Sequence, residues 1–157
     1  MKRHLILVAT LFVLAAFPAS AQHWGVPGSV GDIDDASLSL YDTDGPTLKF
    51  KTGQTGTIIA RYPIMQGTGD PNWGTLGVNY TGPGVSVKVI GMLYCNKFTS
   101  TIVSESLPIG ESNWCEAVDI PATHVWDFTQ WTYYLEVTLT RVSPALDPQL
   151  HQLHFQQ

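Results

Sequence analysis

Charge is what this chain has least of. Only 13% of its residues are Asp, Glu, Lys or Arg, with eight basic against thirteen acidic, a formal charge of −5. So few cations give no electrostatic footprint for nucleic acid or anionic lipid. Cysteine is scarce too: Cys95 and Cys115 are the only two, too few for a disulfide-dense scaffold or a four-cysteine metal site. After the first seventeen residues no long apolar run occurs, and no useful stretch carries a helical period. The motifs HExxH, GxSxG and the P-loop are missing as well, which argues against an enzyme and gives no catalytic residue or cofactor to name.

What is present begins with targeting. Lys2 and Arg3 precede an apolar run from Leu5 to Phe17, followed by Pro18-Ala19-Ser20-Ala21. That is the three-part layout of a secretory signal peptide with cleavage expected after Ala21. The run is short against the roughly 20 residues a membrane helix needs. Residues 1–21 are therefore read as a signal peptide and 22–157 as one secreted or periplasmic domain, free of the membrane once cleaved. Losing Lys2 and Arg3 takes the formal charge from −5 to −7. In an oxidising compartment Cys95 and Cys115 are expected to pair, worth about 3 kcal/mol by loop closure.

The remainder reads as strands. In Trp131 to Val142 the odd positions Trp131, Tyr133, Leu135, Val137 and Leu139 are apolar. The even ones, Thr132, Tyr134, Glu136, Thr138 and Thr140, are mostly polar or β-branched. A period of two cannot serve a helix and predicts a strand with one buried and one wet face. Further strands are predicted at Leu38–Leu40, Thr47–Lys51, Thr57–Tyr62 (stopped by Pro63), Thr75–Thr81, Val85–Cys95, Thr99–Leu107, Trp114–Ile120 and Leu150–Phe155. Ile90, Met92 and Tyr94 make both faces of the Val85 strand apolar, as if it were covered on both sides. Residues Gln22 to Gly31 read as a flexible arm or short edge segment, and Pro108 to Asn113 as a loop. Strands this frequent, with turn residues between them, predict an all-β, two-sheet antiparallel β-sandwich, immunoglobulin-like or jelly-roll-like. Asp127 ahead of the run Tyr133-Tyr134-Leu135-Glu136-Val137 resembles the tyrosine corner of immunoglobulin-like domains in architecture only, because the Cys and Trp placement does not match one.

Three loops pair tryptophan with polar side chains: Asp70, Asn72 and Trp73; Glu111, Asn113 and Trp114; His124, Trp126 and Asp127. A planar ring beside hydrogen-bonding groups suits a sugar, whose C–H faces lie on the ring while its hydroxyls are bound at the edge. Counting antiparallel turns puts the first and third loops at one end. Trp73, Asp70, Asn72, His124, Trp126 and Asp127 are thus the candidate ligand-binding residues. Asp42-Thr43-Asp44-Gly45 resembles the middle of a calcium loop but lacks the later bidentate Glu, so Asp42 and Asp44 are a weak cation candidate. His151 and His154, three apart on a strand, should face opposite ways and share no ion. Asn79-Tyr80-Thr81 is a glycosylation sequon set within a strand.

These features are expected of an exported, non-enzymatic interaction or structural module with a surface, adhesive or assembly role and a protein or glycan partner. A carbohydrate-binding module using the loop tryptophans is the alternative. A small hydrolase assembled from His124, Asp127 and Asp70 is the second.

Overall fold

A computed structural model describes residues 23–66, 71–94 and 98–157, without the side chains of 111–114. The expected signal peptide, Asp70 and Cys95 lie outside the described residues. Among those described, no helix is long and apolar enough to cross a membrane.

In chain order the strands are β1 (Trp24–Pro27), β2 (Asp32–Ile33), β3 (Tyr41–Asp44), β4 (Thr47–Phe50), β5 (Gly56–Ile64) and β6 (Thr75–Gly82). There follow β7 (Val85–Leu93), β8 (Thr99–Ser106), β9 (Gly110–Asp119), β10 (Trp131–Arg141) and β11 (Gln149–Gln156). One sheet has the order β3-β4-β11-β6-β9, with β1 also against β11; the other is β2-β5-β10-β7-β8. All pairings are antiparallel. From β4 onward every connection except the β7–β8 hairpin passes from one sheet to the other. The result is an all-β sandwich wound as a jelly roll.

β10 is central in its sheet, paired along its length with β5 and β7. Tyr133, Leu135, Val137 and Leu139 are buried, and the even positions are not. They meet Leu76, Val78, Val118, Leu150, Leu153 and Phe155 of the facing sheet, all sealed from solvent. Each such side chain contributes about 1.5–3 kcal/mol by leaving water.

Several local expectations change. Leu38–Leu40 is no strand. Asp34 caps a 3-10 turn at Asp35–Ser37, its carboxylate accepting the Ala36 N–H at 3.1 Å; short acidic side chains favour this over extension. Ser37 then docks on β5, accepting the Ile59 N–H at 3.1 Å. β5 runs through Pro63 to Ile64. Its neighbour β2 reaches only Arg61, so Pro63 sits where one edge has no strand to bond and a missing N–H costs little. Of the two readings of the Gly-rich lead-in, the short edge segment holds: Trp24–Pro27 pairs with β11, and Trp24 is buried against Phe155 at 5.5 Å. β9 begins at Gly110 within the expected loop. A Cβ there would lie 2.5 Å from the Tyr80 ring, so only glycine lets the chain cross that close. β7 is not covered on both sides: Met92 and Tyr94 are exposed.

No disulfide is seen among the described residues, and Cys95, the expected partner, lies outside them. Cys115 is a free, exposed thiol opposite Asn79 in mid-β9. Its neighbours Trp114 and Glu116 pair with Tyr80 and Val78, whose side chains point into the core, so Cys115 points outward.

Candidate functional site

The loops before β6 and β10 do meet at one end. The indole N–H of Trp126 donates to the carbonyl of Trp73 at 3.1 Å, and the rings cross edge-on at 5.4 Å. Both are buried, however, at 3% and 6% exposure. Trp73 stacks on Phe155 at 5.1 Å and Trp126 packs on Tyr133 at 4.9 Å. They close the end of the core and offer no open face.

The other predicted site residues separate. Asn72 is exposed on a different cleft, beside Asp119 and Pro121. The Asp127 carboxylate accepts both the N–H and the hydroxyl of Thr129, at 2.9 and 2.6 Å; the hydroxyl above all holds its pKa below the usual carboxylate value. No hydrogen bond joins it to His124 among the described residues, which do not include Asp70. Asp42 and Asp44 form the β3–β4 hairpin, and Asp44 is ion-paired to Lys49 at 3.0 Å. No group of three or more potential metal ligands occurs among the described residues.

His151 and His154 share the outer face, contrary to the simple count. A bulge between Leu150 and Gln152 resets the phase, so Leu150 and Leu153, three apart, both point inward. His151 Nδ1 is then 3.0 Å from the Thr47 hydroxyl. The ring of His154 occupies the space a Cβ on Gly77 would fill.

The residue that does reach an open site is His124. It lines a cleft of about 200 Å³ with Val125, Gly91, Trp131, Ser100 and Ile102, and the buried Tyr133 lies beneath it. Gly91 matters because a Cβ there would stand 3.1 Å from both Trp131 and Tyr133. Its absence lets the two rings spread across the strand ends. Trp131 is half-buried and meets the exposed Phe98 edge-on at 6.0 Å. Phe98 and Val125 form an apolar rim, exposed by 59% and 79%.

The site is braced. The Tyr133 hydroxyl accepts the Asp127 N–H at 3.0 Å. Tyr94 N–H donates to the Gln130 carbonyl at 2.8 Å, and Trp131 N–H to Asp127 at 3.0 Å. Inside the cleft wall, His124 packs edge-on against Trp126 at 4.8 Å and Tyr133 at 5.7 Å. Burial pushes its pKa down, so the ring is neutral near pH 7. Its Nε2 is buried without a hydrogen-bond partner.

Sequence reasoning missed Trp131, Tyr133 and Gly91 because they fit the core pattern. The available signal was Gly91 interrupting the inward Val85-Val87-Val89 row opposite an aromatic pair.

Fold and cleft together define a jelly-roll module with an aromatic-based cleft at one end. No family model and no curated protein sequence matches the chain. Among solved structures it is similar to a family 61 carbohydrate-binding module in complex with β-1,4-galactotriose, with TM-score 0.42 and 12% identity over 88% of this chain and 90% of that one. It is similar to a family 29 carbohydrate-binding module at TM-score 0.36 and 12% identity, covering 88% and 80%. A family two carbohydrate esterase from Cellvibrio japonicus gives TM-score 0.41 and 13% identity over 87% of this chain, which spans only 34% of that protein. At such scores and identities these likenesses concern strand arrangement and say nothing of a ligand.

Proposed function

We propose that this chain is an exported, non-catalytic carbohydrate-binding module whose ligand occupies the cleft between His124 and β8. The observation that carries the reading is the half-buried Trp131 ring, which lines an open cleft with Ser100, Ile102 and His124 and meets the exposed Phe98. A sugar ring suits this cleft: its C–H face covers the Trp131 ring while its hydroxyls reach the Ser100 hydroxyl. The bracing hydrogen bonds around Tyr133 and Trp131 hold the rings before a ligand arrives, which lowers the ordering cost of binding. The export signal expected from residues 1–21 and the low charge of the domain would suit a protein working on glycans outside the cytoplasm.

A glycan array with the purified domain tests the class of ligand, and Trp131→Ala tests the place. The substitution should weaken binding at least tenfold while hardly moving the melting temperature, because Trp131 stands at the end of the core. Undiminished binding in Trp131→Ala would remove the cleft as the site. A domain that retains no glycan on the array would remove the sugar reading.

A further inference from the structure

We propose that the opposite end of the sandwich holds a second site, for a carboxylate, built on the buried guanidinium of Arg141 in the cleft beside Lys49 and Thr52. It lies at the far end of β10 from Trp131 and does not depend on the sugar cleft.

The inward row of β10 is apolar through Leu139 and then ends in Arg141, which is only 7% exposed. Its guanidinium lies 5.8 Å from the centre of the Phe50 ring. Two of its five N–H groups have acceptors, the carbonyls of Lys51 at 3.4 Å and Pro144 at 2.6 Å. Both are neutral. Nε has no partner, and Arg141 forms no ion pair among the described residues. Arginine is always charged, and a buried charge without a counter-ion is costly. In a chain with more acids than bases, the missing counter-ion is the feature that needs explaining.

The same guanidinium borders a cleft of about 320 Å³ with Lys49, Thr52, Asp147 and Gln149. Here the nearby acids are engaged elsewhere. Asp44 holds the Lys49 ammonium at 3.0 Å, and the Asp147 carboxylate accepts from the Gln149 amide. An entering carboxylate would meet the planar fork of Arg141, the Lys49 ammonium and the Thr52 hydroxyl. Arginine matches that group with two parallel hydrogen bonds. Asp147 on the same wall disfavours a doubly charged anion, so a monoanionic carboxylate fits better than sulfate.

Arg141→Ala removes a core contact, so the rim is varied instead and the arginine is observed directly. The probe is sodium acetate, titrated into the labelled domain while the side-chain Nε–H resonance of Arg141 is followed by NMR. Sodium chloride at equal ionic strength is the control. A saturable shift with acetate and not with chloride is expected. In Lys49→Ala the half-saturating concentration should rise about tenfold, the loss of one charge-assisted contact. Sulfate should saturate only at higher concentration. Shifts that merely follow ionic strength, or an acetate curve unchanged in Lys49→Ala, would overturn the site and leave Arg141 as a clamp on two carbonyls. Tighter sulfate than acetate would overturn the carboxylate assignment.

Discussion

Trp126 donates its indole N–H to the backbone of Trp73 while the two rings cross edge-on at 5.4 Å inside the core. The two loops that sequence pattern marked as a rim are thus joined as a lid. Trp73→Ala and Trp126→Ala should each cost about 3–5 kcal/mol, as aromatic truncations in cores do. Thermal or denaturant melts read this. If both variants melt like the parent, the lid assignment is wrong.

The faces of β10 should respond unequally, with one exception to the simple pattern. Leu135→Ala should cost about 2–5 kcal/mol by opening a cavity, and Thr138→Ala should stay within about 0.5 kcal/mol. Glu136 is different, because its carboxylate bridges Arg61 and Lys88, each at 3.2 Å, and Arg61 also reaches Asp34 at 3.1 Å. Arg61 and Lys88 are partly exposed, so Glu136→Ala should cost only about 1 kcal/mol, shrinking with added salt. A loss insensitive to salt would point to packing instead.

Cys115 should be alkylated in the native protein without reductant, as intact mass after iodoacetamide would show. Burial first, and the Glu116 charge second, push its thiol pKa up. The reaction should therefore be slow at neutral pH and accelerate on the alkaline side, because the thiolate is the nucleophile. A mass unchanged until reductant is added would restore the disulfide.

Acid should destabilise the fold through its histidines. His124 and His151 both have pKa values lowered by burial from the ordinary 6.5. The unfolded chain then takes up protons before the folded one does. Their contribution is complete above about pH 6.5 and falls away as pH drops through the lower folded values. Urea midpoints measured from pH 7.5 to 5 should decline, and less so in His124→Gln. An identical decline in that variant would exclude His124 as a source.

Much of the architecture was legible in residue order, because a period of two says which side chains seek the core wherever pairing is regular. That is why β10, β7 and β6 stand where alternation puts them. Where pairing is irregular, the pattern misleads. The bulge at His151 reverses the face of every residue after it, and Asp34 diverts Leu38 from a strand into a turn. Burial of a tryptophan is a matter of what packs over it, so Trp73 and Trp126 could not be told from an exposed pair by their neighbours in sequence. The cleft was hidden for the same reason: Gly91, Trp131 and Tyr133 come from two strands in register, and Ser100 and His124 from segments on either side. The sequence by itself determined an all-β chain with alternating strands. Tertiary structure alone decided which aromatic rings stay open, because exposure depends on contacts between residues far apart in the chain.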